Sequence, residues 1–349
     1  MKPREIFLRS LRRQATPRVA VGSATSIVTT DLMDEVGVAF PEAHRDSETM
    51  ACLASAGHTV LGYDNVMPLF SVWHEASALG CRVDWGTKGR MPDGRPAYAT
   101  VTDDIAIPKD LLERLGCAVP LEALRLLKDR IGDEVAILGK VFGPWTLAYH
   151  LFGVQEFLIA TLLEPDTVRR VMRKLVEVTF SFANAQIEAG ADALCLADHC
   201  TRDLCSPESY RDFVAEIHQE CHETICCPLV LHICGDTADR LKYIRHTGIE
   251  CFHIDSKVPS MAEARKLAGE EMALMGSISN LNTIRGGTLE SVSSDVREKV
   301  RIGIDIIGPE CAVPLDAPFE NLKEITRIAR TLSTDQVATT DGEDTPVEL

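Results

Sequence analysis

Short apolar runs alternate with longer amphipathic segments along most of this 349-residue chain, and this alternation constrains the fold more than any other feature. The runs have the length of buried β-strands, and the segments between them carry apolar residues at helical spacing. Strands that alternate with helices predict parallel βαβ units. The predicted strands are 18–22, 135–141, 191–197, 228–234, 251–255, 273–277 and 303–307. The predicted helices are 121–130, 154–163, 167–189, 207–224, 236–247, 260–268, 289–302 and 321–332.

About seven or eight such units, without a dinucleotide-binding or P-loop motif, favour a (β/α)8 TIM barrel over an open doubly wound sheet. The residues before the first units predict an N-terminal helical elaboration of the barrel. Residues 83–107 contain several turn signals and predict an inserted hairpin. We predict a single barrel domain at 1–332. The polar, acidic tail at 333–349 is predicted to be disordered.

The charge balance argues against polyanionic partners. The chain has 36 Lys and Arg against 52 Asp and Glu, a formal charge of −16, so we expect no nucleic-acid partner and no anionic membrane surface as partner. No apolar run approaches the roughly 18–20 residues of a membrane helix. Residues 1–17 are interrupted by Arg and have no apolar core of a signal peptide. We therefore expect a cytoplasmic protein.

Twelve cysteines raise the question of which ones carry chemistry. A disulfide framework is typical of short secreted chains, so most of these thiols are expected in the core. In 229–235 (LVLHICG), His232 and Cys234 alternate on a strand and project from one face at its carboxyl end. Cys311 follows the last predicted strand at the same rim. Three N and S ligands with an open fourth position are typical of catalytic zinc. The residues alone allow two interpretations: the three side chains bind zinc, or they pack in the core without a metal.

Longer motifs add a resemblance. The chain contains LHICG, a cysteine after IIGPE, and the stretches PRVAVGSAT, GPWTLAYHLFG, EAGADALCLAD and CSPESYRDF. From about residue 6 to about residue 330 it resembles the methylcobalamin:coenzyme M methyltransferase family, within the uroporphyrinogen decarboxylase superfamily. The resemblance implies a (β/α)8 barrel in which His232, Cys234 and Cys311 bind Zn²⁺. It also implies methyl transfer from methylcobalamin, carried on a small corrinoid protein, to a zinc-bound thiol.

The implied chemistry is physically coherent. A free thiol has a pKa of about 8.5 and is mostly protonated at neutral pH, which makes it a poor nucleophile. Coordination to Zn²⁺ deprotonates it. The resulting thiolate can attack the methyl group of a methyl-Co(III) corrinoid and release Co(I). Zinc would then generate the nucleophile rather than polarise a carbonyl group.

Four further residues are candidates for the site. Asp198 and Asp255 end predicted strands at the rim and are predicted catalytic residues. Asp198 would hold the substrate or cap a helix, and Asp255 would complete the zinc site or orient His232. Trp145 and Tyr149 follow another strand end and are predicted to bind the cofactor by shaping a pocket for the flat corrin ring, with simple packing as the alternative.

Other functions remain as alternatives. Uroporphyrinogen decarboxylase binds its polycarboxylate substrate through an Arg-rich N-terminal motif, whereas the corresponding stretch 19–25 (VAVGSAT) has no Arg. A methyltransferase working in reverse would demethylate a methylated substrate and load Co(I). A barrel that docks the corrinoid protein without chemistry is the non-enzymatic alternative. The candidates for the methyl acceptor are coenzyme M, homocysteine, another thiol and a pterin.

Overall fold

The secondary structure is known for residues 1–332, which the computed structural model describes. The tail predicted to be disordered, 333–349, lies outside the described residues. The strands are β1 (Ala20–Val21), β2 (Asn65–Val66), β3 (Arg82–Asp84), β4 (Asp93–Arg95), β5 (Ala136–Phe142), β6 (Ala193–Ala197), β7 (Leu229–His232), β8 (Cys251–Ile254), β9 (Ala273–Ile278) and β10 (Ile306–Pro309). The α-helices are α1 (Pro3–Ser10), α2 (Thr30–Val36), α3 (Ser47–Thr59), α4 (His74–Ala78), α5 (Leu115–Ile131), α6 (Pro144–Phe152), α7 (Val154–Leu163), α8 (Pro165–Glu188), α9 (Pro207–Ser209), α10 (Ala215–Thr224), α11 (Leu241–Ile244), α12 (Met261–Ala268), α13 (Leu289–Ile302) and α14 (Phe319–Ala329). Short 3₁₀ helices cover Glu42–His44 and Leu111–Glu113, and π-helical turns cover Tyr210–Val214 and Asn280–Arg285.

Eight parallel strands form one sheet in the order β1-β10-β9-β8-β7-β6-β5-β2. Hydrogen bonds of Asp64 and Asn65 join the first and last strands of this order. The Asp64 N–H donates to the Val21 carbonyl at 2.8 Å. The Asn65 side chain accepts from the Ser23 N–H at 2.9 Å and donates to the Ser23 carbonyl at 2.8 Å. The sheet is therefore a nearly closed barrel with helices around it, which confirms the predicted (β/α)8 fold.

Strand register decides which side chains share the barrel interior. Ala197 of β6 pairs with His232 of β7, and His232 pairs with His253 of β8. Paired residues of parallel strands point to the same face of the sheet. The two imidazole rings lie 4.5 Å apart between centroids. The carboxyl ends of the strands thus present polar side chains to one mouth of the barrel, the end at which barrel enzymes carry their sites.

Two predicted additions to the barrel are present. The helices α1, α2 and α3 precede or flank the first two barrel strands, which confirms the N-terminal helical elaboration. Strands β3 and β4 pair antiparallel, with Arg82 opposite Arg95, so a hairpin lies in the region predicted for it. Within residues 1–332, no single helix is long and apolar enough to cross a membrane. The bent pair of α6 and α7, at 112°, passes that test by length and composition only.

Two predicted helices were partly wrong, and one barrel strand was missed. Strand β2 was not predicted, because two residues show no periodicity. The helix expected at 207–224 is interrupted by the π-helical turn Tyr210–Val214. The helix expected at 236–247, starting directly after β7, is reduced to Leu241–Ile244. Gly235 has φ of +82°, a left-handed conformation, and the residues after it form turns before the helix begins.

Candidate metal centre

His232, Cys234 and Cys311 meet at the mouth of the barrel. His232 ends β7, Cys234 follows it by two residues, and Cys311 follows β10. The His232 Nε2 lies 3.0 Å from the Cys234 Sγ and 3.4 Å from the Cys311 Sγ, and the two sulfur atoms are 3.0 Å apart. The three ligand atoms all lie within 4.8 Å of one another, so they form a compact donor triangle.

The histidine of this triangle is oriented by the neighbouring strand. The His232 Nδ1 lies 3.3 Å from the His253 carbonyl oxygen, which leaves Nε2 directed at the thiols. Burial lowers the pKa of His253 to about 3, so its ring is neutral. Its Nε2 lies 2.8 Å from the Pro309 carbonyl, two residues before Cys311. Strands β7, β8 and β10 are thus linked directly beneath the three donors.

The donor set fits zinc. The hydrogen bond from Cys234, together with the nearby His232, holds the pKa of Cys311 well below its usual range. A lowered pKa favours the thiolate, which is the form that binds metals. Tetrahedral Zn²⁺ with Zn–S bonds of about 2.3 Å places two sulfur ligands about 3.8 Å apart. The observed sulfur pair needs to separate by less than 1 Å to reach that spacing.

Asp255 fixes the turn that follows β7. Its Oδ2 accepts from the Gly235 N–H at 2.8 Å, and its Oδ1 accepts from the Lys257 N–H at 3.0 Å. The orienting role predicted for Asp255 at His232 is filled instead by the His253 carbonyl. The carboxylate is 3% exposed and both its oxygens accept backbone hydrogen bonds, which makes it a support for the turn carrying the second thiol.

Asp198 lies beneath the rim with no exposed surface. One oxygen accepts from the Thr146 N–H at 2.8 Å and from the Thr146 hydroxyl at 3.0 Å. The other lies 3.1 Å from the His218 Nε2, and the His218 Nδ1 lies 3.0 Å from the Tyr210 hydroxyl. Asp198 is not the N-cap residue of a helix, since Gly143 holds that position in α6, but its contacts with Thr146 anchor the first turn of α6 at the rim.

Trp145 and Tyr149 both lie on α6 but occupy different environments. Trp145 is 1% exposed and packs edge-to-face against Phe157, with ring centroids 4.9 Å apart. Tyr149 is half-buried, and its hydroxyl lies 3.2 Å from the His199 Nδ1. Burial raises the pKa of Tyr149, and the nearby Cys234 adds to the effect. Of the two predicted cofactor-binding residues, Tyr149 therefore lies beside the donor triangle and Trp145 lies in the packed interior.

Comparison with known protein families identifies the family to which this chain belongs. Residues 2–332 match the sequence profile of uroporphyrinogen decarboxylase (URO-D). The chain belongs to the URO-D family. The match covers almost all of the residues that the structure describes, including every strand of the barrel.

Relatives of this URO-D family chain indicate the kind of reaction. It is 32% identical to the methylcobamide:CoM methyltransferase MtaA of Methanosarcina barkeri, over 91% of this chain and 95% of the relative. It is 35% identical to a methylated-thiol–coenzyme M methyltransferase of Methanosarcina mazei, over 86% and 82%. A solved methyltransferase structure from Methanosarcina mazei superposes with a TM-score of 0.91 at 30% identity, over 94% of this chain and 98% of that one. These relatives confirm the resemblance and the predicted enzyme class, a methyltransferase.

Sequence reasoning missed the positions of Asn280 and His199 beside this URO-D family site, and it did not place Glu75. Asn280 donates from Nδ2 to the Cys311 carbonyl at 3.1 Å and so holds the loop of the third donor. His199 is half-buried beside Tyr149, and burial together with the nearby His232 lowers its pKa. Glu75 is fully buried, and both its oxygens face the Phe142 N–H at 3.0 and 3.2 Å. The pair His74-Glu75 is visible in the sequence, but nothing there places it against β5.

Proposed function

We propose that this protein is a zinc-dependent methyltransferase that moves a methyl group from a methylated corrinoid, carried on a partner protein, to a thiol such as coenzyme M. The observation that carries the proposal is the triangle of one imidazole and two thiols at the barrel mouth. The names of the relatives, which include methylcobamide and CoM, support the donor and the acceptor. We further propose that residues 1–332 act as one domain in the cytoplasm.

His232, Cys234 and Cys311 would hold the zinc. When bound there, Zn²⁺ lowers the pKa of the acceptor thiol and so supplies a thiolate at neutral pH. Two protein thiolates balance the 2+ charge before the acceptor joins, which leaves the acceptor sulfur electron-rich. His232 donates from Nδ1 to the His253 carbonyl, so its Nε2 keeps a lone pair for the metal.

The methyl transfer balances as a displacement at carbon. The acceptor thiol loses its proton to solvent, and its sulfur forms a bond to the methyl carbon. The cobalt–carbon bond breaks and both of its electrons stay on cobalt, so Co(III) becomes Co(I) while the thiol becomes a thioether. Tyr149, which lies half-buried beside the donors, would contact the corrin ring, and Trp145 would support it by packing α6 against α7.

Metal analysis of cysteine variants tests the zinc assignment. We expect about one Zn²⁺ per chain in the wild-type protein and most of it lost in Cys234→Ala and Cys311→Ala, because each variant removes one of three ligands. Cys226→Ala is the matched control, since this cysteine is exposed and precedes β7, whereas Cys234 follows it. Full zinc occupancy in both site variants would refute the assignment.

Methyl transfer itself is tested with free methylcobalamin. We expect the absorbance change of the corrinoid to depend on an added thiol and to disappear in Cys234→Ala and Cys311→Ala. Tetrahydrofolate in place of the thiol tests the pterin alternative. Turnover with tetrahydrofolate and with no thiol would contradict the proposal.

One observation favours a second candidate, the reversed reaction. The methylated-thiol–coenzyme M methyltransferase of Methanosarcina mazei, by its name, takes methyl groups from methylated thiols. The same donor triangle would then bind the sulfur of a methylated substrate, and the methyl group would pass to Co(I). Incubation with a methyl thioether and reduced corrinoid distinguishes this direction, because methylcobalamin is then formed rather than consumed. Uroporphyrinogen decarboxylation is not proposed, since 19–25 lacks the arginines that its substrate requires.

A further inference from the structure

Exposed apolar side chains are concentrated at the mouth end of the barrel. Among residues 1–332, eleven large apolar side chains are exposed to solvent. Nine of them lie between the carboxyl end of a barrel strand and the start of the helix that returns along the barrel. The two exceptions, Met1 before α1 and Leu267 near the end of α12, lie at the opposite end. Singly scattered apolar residues are normal on a protein surface, whereas their concentration on one face marks an interaction surface.

The most exposed of these side chains lie on α7. Leu162 is 80% exposed, Leu163 is 76% exposed, and Ile159 is exposed as well. A spacing of three and four residues places these side chains on one face of the helix. The other face packs inward through the buried residues Phe157 and Ala160. Because α7 follows β5 in the chain, we call Ile159, Leu162 and Leu163 the β5 patch.

The β5 patch stands beyond the rim of the barrel. The Gln186 side chain bonds to the backbone of Lys140 in the middle of β5, and the Thr179 hydroxyl donates to the Phe142 carbonyl at the carboxyl end of that strand. Helix α8 therefore runs antiparallel to β5. Its earlier residues, 165–178, extend past the end of the strand by up to about 20 Å, at a rise of 1.5 Å per residue. Since α7 ends where α8 begins, the β5 patch lies at this projecting end.

A second exposed apolar pair lies across the mouth. Leu281 lies in the π-helical turn after β9, and Leu289 is the first residue of α13. In the ring of eight strands, β9 lies four places from β5 in either direction, so this pair is on the opposite side of the mouth. We call Leu281 and Leu289 the β9 patch. The donor triangle, carried by β7 and β10, lies between the two patches.

The distance between the two patches indicates a macromolecular partner. Eight tilted strands about 4.8 Å apart form a ring roughly 15 Å across, and a helix layer of about 10 Å on each side places the patches roughly 30 Å apart. A folded protein can span this distance. A second copy of the chain seated on both patches would close the mouth to the corrin, and the formal charge of −16 disfavours an anionic membrane surface. The partner that fits is therefore a protein that brings the corrin with it.

We propose that the β5 and β9 patches hold the corrinoid partner protein on opposite sides of the mouth and so place its corrin over the donor triangle. The partner would carry its corrin in the middle of the docking face, with apolar side chains on either side of it. This inference rests on the proposed function and adds the surface that recognises the partner. The patches contact the protein and not the reacting atoms, so transfer from free methylcobalamin does not need them.

Methyl transfer from two donors tests the proposal. The donors are free methylcobalamin and methylcobalamin bound to a purified corrinoid protein, with coenzyme M as acceptor. Leu162→Asp and Leu289→Asp each place a carboxylate in one patch. Each should raise the KM for the corrinoid protein roughly 10- to 100-fold, because burying a charge in an apolar contact is costly and a few residues dominate an interface. Activity with free methylcobalamin should stay nearly unchanged, which also shows that the variants fold. Leu267→Asp, at the opposite end of the barrel, is the matched control and should affect neither donor.

Direct binding separates this inference from the proposed function. In calorimetric titrations, the corrinoid protein should bind more weakly to zinc-loaded Leu162→Asp and Leu289→Asp than to wild type and Leu267→Asp. Equal affinity for all four proteins would overturn the proposal. A wild-type dimer in sedimentation that Leu162→Asp dissociates would also overturn it, because a second copy would then occupy the β5 patch. Binding through both patches without methyl transfer from either donor would overturn the proposed function alone.

Discussion

At the scale of single residues, Glu75 makes the free energy of unfolding depend on pH. Burial raises the pKa of Glu75 to about 8, against 4.5 for an exposed glutamic acid. Between these values the unfolded chain releases a proton that the folded chain keeps, so the stabilising contribution falls as pH rises. We expect the stability of wild type relative to Glu75→Gln to fall from pH 5 to pH 8, with a total change on the order of 4 kcal/mol. Urea unfolding of both proteins across this range measures it.

Glu75→Gln is a close match because the amide oxygen can still accept from the Phe142 N–H and carries no charge at any pH. The difference between the two proteins therefore reports the carboxyl group. Parallel stability profiles from pH 5 to pH 8 would show that Glu75 is not titrating from a raised pKa.

Asp255 acts on the metal through the backbone. Asp255→Ala removes the acceptor of the Gly235 N–H at 2.8 Å and loosens the turn after Cys234. We expect zinc affinity, measured by competition with a chelator, to fall about 10- to 100-fold, because supports of metal ligands have effects of this size. Asp255→Asn keeps one oxygen acceptor, so its zinc affinity should fall less than that of Asp255→Ala. Equal losses in both variants would show that the carboxylate is itself a ligand.

At the scale of elements, closure of the barrel depends on close contact between β1 and β10. Val21 pairs with Ile307, and a Cβ added at Gly308 would lie 1.8 Å from the Gly22 carbonyl oxygen. Gly308→Ala must therefore push the two strands apart. We expect it to lower the free energy of unfolding by about 3 kcal/mol or more, measured with urea.

The hairpin provides the control for this substitution. A Cβ at Gly89 would meet no atom within 4 Å, so Gly89→Ala should change the free energy of unfolding by less than about 0.5 kcal/mol. Similar effects of Gly308→Ala and Gly89→Ala would mean that β1 and β10 separate without cost.

Strands and helices could be predicted where the sequence shows a clear hydrophobic periodicity. They were missed or misjudged where a tertiary contact determines the local conformation. Strand β6 and helix α13 are long enough for periodicity, and both lie at or within their predicted ranges. Strand β2 has two residues, and it is held by the side chain of Asn65 rather than by a pattern. The shortened helix α11 follows from the left-handed Gly235, whose conformation depends on the turn held by Asp255.

The donors of the candidate site could be proposed from the sequence because all three lie at the carboxyl ends of predicted strands. In the structure His232 ends β7, Cys234 follows it by two residues, and Cys311 follows β10 at the same rim. Their supports could not be predicted in the same way. The His253 carbonyl and Asn280 support the donors through strand register and loop packing, and neither can be predicted from the spacing of residues in the sequence.

At the scale of the whole molecule, the proposed reaction fixes where the corrinoid protein docks. The methyl carbon must come within about 3–3.5 Å of the acceptor sulfur, so the corrin must cover the barrel mouth. We expect hydrogen exchange in the complex to show protection in the segments that follow the strands there, namely 143–153, 198–206, 233–240 and 310–317. The opposite end, around Arg18 and Asp64, provides the internal control. Protection confined to that opposite end would contradict the docking geometry.

The most direct test of the central claim counts the sulfur atoms bound to zinc. In the zinc K-edge spectrum we predict two sulfur ligands in the resting protein, from Cys234 and Cys311, and three after addition of the acceptor thiol. Calorimetry in buffers of different ionisation enthalpy should show release of about one proton at neutral pH on the same addition, since the free thiol is mostly protonated there. An unchanged sulfur count with no proton release would contradict activation of a thiol by this site and favour the reversed, demethylating reaction.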